Sequence, residues 1–153
     1  MLLNLARGVA RDVELDVRQV QDAAFSSDGR RFAVASGTGV AKLWDTVTGR
    51  ELATLSGFIL GVHSVAFSPD GRRLAAASNA RETLKLWDLD SQQELLTLET
   101  QSSIFHPTAF APDGDVLGSM TRLGGVLHLW RAPSWDEIEA SEFRARHSVP
   151  RQP

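Results

Sequence analysis

The chain has 153 residues, 42% of them hydrophobic and none of them cysteine, and its formal net charge is −3. This length suits one ordinary domain with a core of its own. The lack of cysteine excludes disulfides, thiolate metal sites and thiol nucleophiles, and it agrees with a reducing cytoplasm, where we expect the protein to reside. Because the net charge is slightly acidic and no apolar run approaches the roughly 18 residues of a membrane span, we expect neither nucleic acid nor membrane as a partner.

The first predicted element is a strand over 11–17. In this segment, "RDVELDV", the apolar residues Val13, Leu15 and Val17 alternate with polar ones. Such alternation is typical of a half-buried strand. No similar strand precedes it, so we interpret residues 1–17 as an N-terminal segment that carries an orphan outer strand.

Three similar segments follow along the chain, at 23–45, 65–88 and 108–131. Their tryptophans are 43 residues apart, at Trp44, Trp87 and Trp130. The first two segments end in "KLWD" and the third ends in "HLWR". A repeat of about 40–45 residues is typical of units of four short strands.

The middle unit shows the predicted strands most clearly. Two short apolar stretches, 64–68 and 73–78, enclose the turn "SPDG", in which Gly71 can take the left-handed conformation. The stretch "TLKLWD" at 83–88 alternates, which predicts a third strand with Leu84 and Leu86 on one face and Trp87 on the other. The stretch "QELLTLE" at 93–99 predicts a fourth, outer strand.

A four-stranded sheet of this size cannot bury both faces alone, and radial stacking of such sheets gives a β-propeller. The predicted fold is therefore all-β: a partial β-propeller of three four-stranded antiparallel blades at about 18–56, 57–99 and 100–132. The third unit lacks an outer strand of its own, because its last strand continues into "APSW". The orphan strand at 11–17 is a candidate to complete that unit by end-to-end closure.

The region after the repeats, 133–153, has a different character. Pro133 interrupts the strand, and the spacing of Ser134 and Glu137 is that of a capping box. We predict a short helix over 134–145 followed by a disordered, basic tail.

The phrase "VAFSPDGRRLAAAS" followed by "LKLWD" resembles the WD-repeat (tryptophan–aspartate) β-propeller family, over roughly residues 15–132. The resemblance implies scaffolding and protein–protein binding rather than catalysis. We expect no cofactor, and no metal because no two histidines have a metal-ligand spacing. The ending "LHLWRAPSWDEIEASE" is similar to the C-terminal end of large bacterial WD-repeat proteins, some of which carry a serine/threonine kinase domain.

The chain departs from the family pattern at a buried hydrogen-bond network. The pattern has a Gly-His pair before the first strand and an Asp about six residues before the Trp. Here the middle unit has Gly57-Phe58 and Arg81 at these places, and the outer units have Thr38 and Gly124 in place of the Asp. No unit keeps the full set, so we expect the blades to depend mainly on apolar packing.

The resemblance also places binding loops at the narrow face of the ring, and one of them, "GFILG" at 57–61, is unusually apolar. Adjacent apolar side chains near solvent can form a contact patch, and arginine often borders such patches. The predicted protein-binding residues are Phe58, Ile59, Leu60, Arg81 and Arg122. An alternative for Phe58 is that it packs in the core where the family has its histidine.

We therefore expect a non-catalytic, cytoplasmic, bacterial scaffold. Since propellers have about 4–8 blades, three units leave two interpretations. The chain is a C-terminal portion of a longer propeller, with further blades in a parent chain that is a kinase-like signalling enzyme, or a homodimer completes a six-bladed ring. A truncated remnant without independent function is a third interpretation.

Overall fold

The computed structural model describes residues 2–4, 9–79, 82–99, 105–121 and 125–132. All regular secondary structure within these ranges is β-strand. The strands are β1 (Leu2–Asn4), β2 (Val9–Arg11), β3 (Val20–Phe25), β4 (Arg31–Ser36), β5 (Val40–Asp45), β6 (Glu51–Leu55), β7 (Val62–Phe67), β8 (Arg73–Ser78), β9 (Glu82–Asp88), β10 (Gln93–Glu99), β11 (Phe105–Phe110), β12 (Val116–Thr121) and β13 (Leu127–Arg131).

The strands form three antiparallel sheets in which chain neighbours pair. Blade 1 contains β3–β6, blade 2 contains β7–β10, and blade 3 contains β11–β13. A separate ladder pairs β1 with β2. The predicted all-β partial propeller is confirmed, with three strands in blade 3 in the part of the chain described. The helix predicted over 134–145 lies outside the described residues.

A repeated turn joins the first two strands of each blade. In blade 2, Asp70 accepts hydrogen bonds from the Ser68 hydroxyl and from the Arg72 N–H (3.0 Å). Both bonds hold the pKa of Asp70 below its ordinary value, and the bond from Ser68 has the larger effect. Gly71 takes the predicted left-handed conformation with a φ of +70°, a region that glycine enters at no steric cost.

Each blade has two faces, which we name by their direction along the chain. The forward face looks toward the next blade and the rear face looks toward the preceding one. In blade 2, Leu84 and Leu86 lie on the forward face and belong to the core shared with blade 3, whereas Trp87 lies on the rear face in the core shared with blade 1. The predicted alternation of "TLKLWD" is thus confirmed.

The core between blades 1 and 2 explains how closely the sheets stack. Blade 1 contributes mostly small residues from its forward face, including Ala33, Ala35 and Ala41, each fully buried. Blade 2 contributes larger residues from its rear face, such as Leu74 and Trp87. Small side chains facing large ones let two twisted sheets pack without voids.

The segment at 12–17 forms no strand, and β2 ends at Arg11. Val13, Leu15 and Val17 are half-buried and alternate with exposed residues. Val13 and Leu15 line a cavity of about 120 Å³ together with Phe25, Phe32 and Trp44 of blade 1. The alternation that predicts a strand over 11–17 thus serves to bury apolar side chains over the rear face of blade 1. Closure of the ring by this segment stays a prediction.

Candidate functional site

The connection between β6 and β7 presents two apolar side chains to solvent. Ile59 is 73% exposed and Leu60 is 48% exposed. Phe58 differs from both, because it is half-buried and packs against the core between blades 1 and 2. Its ring centroid lies 5.3 Å from that of Trp87, a distance typical of a favourable aromatic pair. The structure therefore separates an anchoring residue, Phe58, from the two exposed residues that follow it.

The side chain of Lys85 lies over the ring of Phe58. Its side chain is buried, and its Nζ lies 5.9 Å from the centroid of the Phe58 ring. The same Nζ donates to Glu94 (2.9 Å) and to the Thr97 hydroxyl (3.0 Å). The hydrogen bond from Thr97 lowers the pKa of Glu94 most, and the bond from Lys85 lowers it further. Glu94 therefore stays ionised and compensates the buried charge of Lys85.

Glycines hold this loop against the turn between β4 and β5. A Cβ added to Gly61 would lie 2.8 Å from the carbonyl oxygen of Gly37 and 3.0 Å from its Cα. A Cβ added to Gly39, whose φ is +86°, would approach the carbonyl oxygens of Phe58 and Leu60 at 3.3 and 3.2 Å. The loop that carries Ile59 and Leu60 therefore packs directly against the backbone of this turn.

We expect Gly61→Ala to destabilise the protein by about 1 kcal/mol, because the new methyl group meets backbone that cannot move aside easily. Gly37→Ala is the matched control. Its Cβ would meet mainly the Gln19 side chain, with the nearest atom the flexible Oε1 at 2.7 Å. Thermal unfolding of both variants checks the prediction, and equal losses of stability would contradict it.

A hydrogen-bonded chain crosses all three blades along their inner strands. The Ser64 hydroxyl donates to Asp22 Oδ2 (2.9 Å) and accepts from the Thr108 N–H (3.0 Å). The Val65 N–H also donates to Asp22 Oδ2 (3.0 Å), and the Thr108 hydroxyl contacts that of Ser119 at 2.8 Å. Ser64 is fully buried. A polar link of this kind joins one blade to the next at a defined register.

Sequence reasoning missed this link, although a signal was present. Asp22 and Ser64 both lie three residues before the last Phe of their strand, at Phe25 and Phe67. Each accepts from the N–H of the residue just after this position in the next blade, which is Val65 for Asp22 and Thr108 for Ser64. The third unit has Pro107 at this position, which carries no side-chain acceptor.

The Asp of the repeated "LWD" phrase has a structural role in the first two blades. Asp45 accepts from the N–H (2.6 Å) and hydroxyl (2.8 Å) of Thr48, and Asp88 accepts in the same way from Ser91. These bonds hold the pKa of both carboxyls below the ordinary value. They shape the turn into β6 and β10. Blade 3 has Arg131 instead, which cannot accept hydrogen bonds, and no outer strand follows in the described residues.

Two of the predicted binding residues, Arg81 and Arg122, lie outside the described residues. Among the residues that are described, no group of three or more histidines and carboxylates could hold a metal ion. None of the described segments forms a helix long and apolar enough to cross a membrane.

The stacked sheets, with their repeated turns and inter-blade links, define a β-propeller segment. Residues 16–45 and 49–88 match a family model described as WD domain, G-beta repeat. The two matched stretches end at Asp45 and Asp88, the last residues of β5 and β9. Residues 16–88 are thus similar to WD repeats over blades 1 and 2. A search of curated proteins gave no significant match.

Proposed function

We propose that this chain is a non-catalytic protein-interaction module whose contact surface is the exposed part of the loop between β6 and β7. The observation that carries the proposal is the exposure of Ile59 (73%) and Leu60 (48%) side by side. Two neighbouring apolar side chains on a braced loop are a favourable anchor for a protein partner.

The packing around the loop supports a binding role for its two exposed apolar residues, because it braces the loop. Phe58 is held against Trp87, and the loop backbone is braced by Gly39 and Gly61. A loop fixed in this way loses little conformational entropy when a partner binds. By their place in the sequence, Arg81 and Arg122 are proposed to border the same surface.

The match of residues 16–88 to WD repeats supports the same assignment, because WD repeats generally serve as non-catalytic scaffolds. The absence of cysteine agrees with a cytoplasmic location, which we include in the proposal. The partner is a protein that offers an apolar pocket to Ile59 and Leu60.

The test is capture of partners from an extract by the immobilised protein, followed by mass spectrometry. We expect Leu60→Asp to abolish capture of the specific partner while the unfolding temperature stays unchanged. The matched control is Leu95→Asp, because Leu95 on β10 has a similar exposure of 53%. Equal loss of capture in both variants would contradict the proposal, and unfolding of Leu60→Asp would assign Leu60 to the core.

A further inference from the structure

The forward face of blade 3 is apolar, and in the described part of the chain no other blade covers it. Leu127 and Leu129 on β13 are 56% and 63% exposed, and Met120 on β12 is 41% exposed. Leu84 stands at the place of Leu127 in the preceding unit and is 0% exposed, because blade 3 covers it. In blade 1 the corresponding residue is Ala41, also at 0%. Twice in this chain, therefore, this surface is covered by the rear face of another blade.

The rear face of blade 1 is the complementary surface, and it is only partly covered. Phe25 is 51% exposed, whereas Phe67, at the same place in blade 2, is 9% exposed. Trp44 is only 4% exposed, although the segment with Val13 and Leu15 leaves a cavity of about 120 Å³ beside it. The segment thus fills this face less completely than a neighbouring blade fills the rear face of blade 2.

The polar links between blades change together at these two faces. Between blades 1 and 2, Arg31 pairs with Asp90 at 3.3 Å. In blade 3 the place of Arg31 is taken by Val116, and in blade 1 the place of Asp90, three residues after the Trp, is taken by Val47. Between blades 2 and 3 the same two places hold Arg73 and Pro133, so the charged pair belongs to one internal contact, whereas a valine stands at each of the two end faces.

We infer that two copies of this chain associate head to tail, with the forward face of blade 3 packed on the rear face of blade 1 of the second copy. The contact displaces the segment at 12–17. Two such contacts close a two-fold ring, and its six blades lie within the usual range of about 4–8. The occupant is a second copy because its rear face carries Val47 and Phe25 where Val116 and the exposed leucines require apolar partners.

The first test is the mass in solution by light scattering over a wide range of protein concentration. We expect a species of twice the 16.7 kDa chain mass. Leu129→Arg should weaken the dimer at least about tenfold. Leu95→Arg on β10, where Leu95 is 53% exposed, should leave the dimer unchanged. Leu15→Ser loosens the displaced segment and should strengthen the dimer. Circular dichroism confirms that each variant keeps its β spectrum.

The second test examines the register of the contact. Val116→Arg and Val47→Asp should each weaken the dimer, and the double variant should recover it, because it recreates the Arg31–Asp90 pair across the new contact. A dimer that resists Leu129→Arg, or a double variant that recovers nothing, overturns the inference. So does a chain that stays monomeric both as wild type and as Leu15→Ser, which is the result expected if residues 133–153 cover the face instead.

Discussion

Replacing Leu84 by alanine is expected to lower the free energy of unfolding by about 2–5 kcal/mol. Leu84 is 0% exposed and lies in the core between blades 2 and 3. Removing its side chain leaves a cavity between the two sheets, where Leu84 packs with Ala75, Ala77 and Leu117. Denaturant unfolding, followed by tryptophan fluorescence, measures the loss.

The matched control is Leu127→Ala, at the same place in the third unit. Leu127 is 56% exposed, so its truncation should cost less than about 0.5 kcal/mol, as for surface residues generally. Both variants are compared at low protein concentration, because any association of copies would add to the apparent stability. Equal losses would mean that repeat position rather than burial determines the effect.

Replacing Ser64 by alanine is expected to cost about 2–4 kcal/mol, which is large for the loss of a single hydroxyl. The buried Thr108 N–H loses its acceptor, and Asp22 loses one of its two inter-blade donors. Each buried group left without a partner costs about 1–3 kcal/mol. Thermal or denaturant unfolding measures the change. Ser27→Ala is a suitable control, because Ser27 is exposed although it also reaches across to Pro69.

A double-mutant cycle of Asp22→Ala and Ser64→Ala tests whether the two residues act as one link. Residues in one hydrogen-bond network have interaction energies of about 0.5–3 kcal/mol. We expect the double variant to lose less stability than the sum of the single losses. Additive losses would show that the contact between Ser64 and Asp22 contributes little to the stacking of blades 1 and 2.

These predictions share a physical basis in repeat architecture. Each blade is a small sheet that is stabilised by its neighbours, so stability depends on the contacts between blades as much as on the blades themselves. Among the described residues, two contacts join the three blades, and one face of blade 1 and one of blade 3 contact no other blade. The exposed residues Phe25 and Leu129 mark those faces.

Much of the fold was predictable from the sequence because repetition supplies internal evidence. Three copies of one pattern gave the strands, the turns at Gly71 and its counterparts, and the opposite facing of Leu84 and Trp87, all of which the structure confirms. The apolar loop at 57–61 was also evident from composition. The different surroundings of Phe58 and Leu60 were not, since both are apolar and only the packing on Trp87 separates them.

The sequence by itself determined the repeat length, the strand pattern and the place where the pattern ends at Arg131, because these depend on local periodicity and turn chemistry. Only the tertiary structure decided that the segment with Val13 and Leu15 lies over blade 1 instead of forming an outer strand. It also revealed the link from Asp22 through Ser64 to Thr108. Both depend on contacts between residues about 10 to 45 positions apart, and the geometry of such contacts follows from how the sheets stack rather than from local sequence.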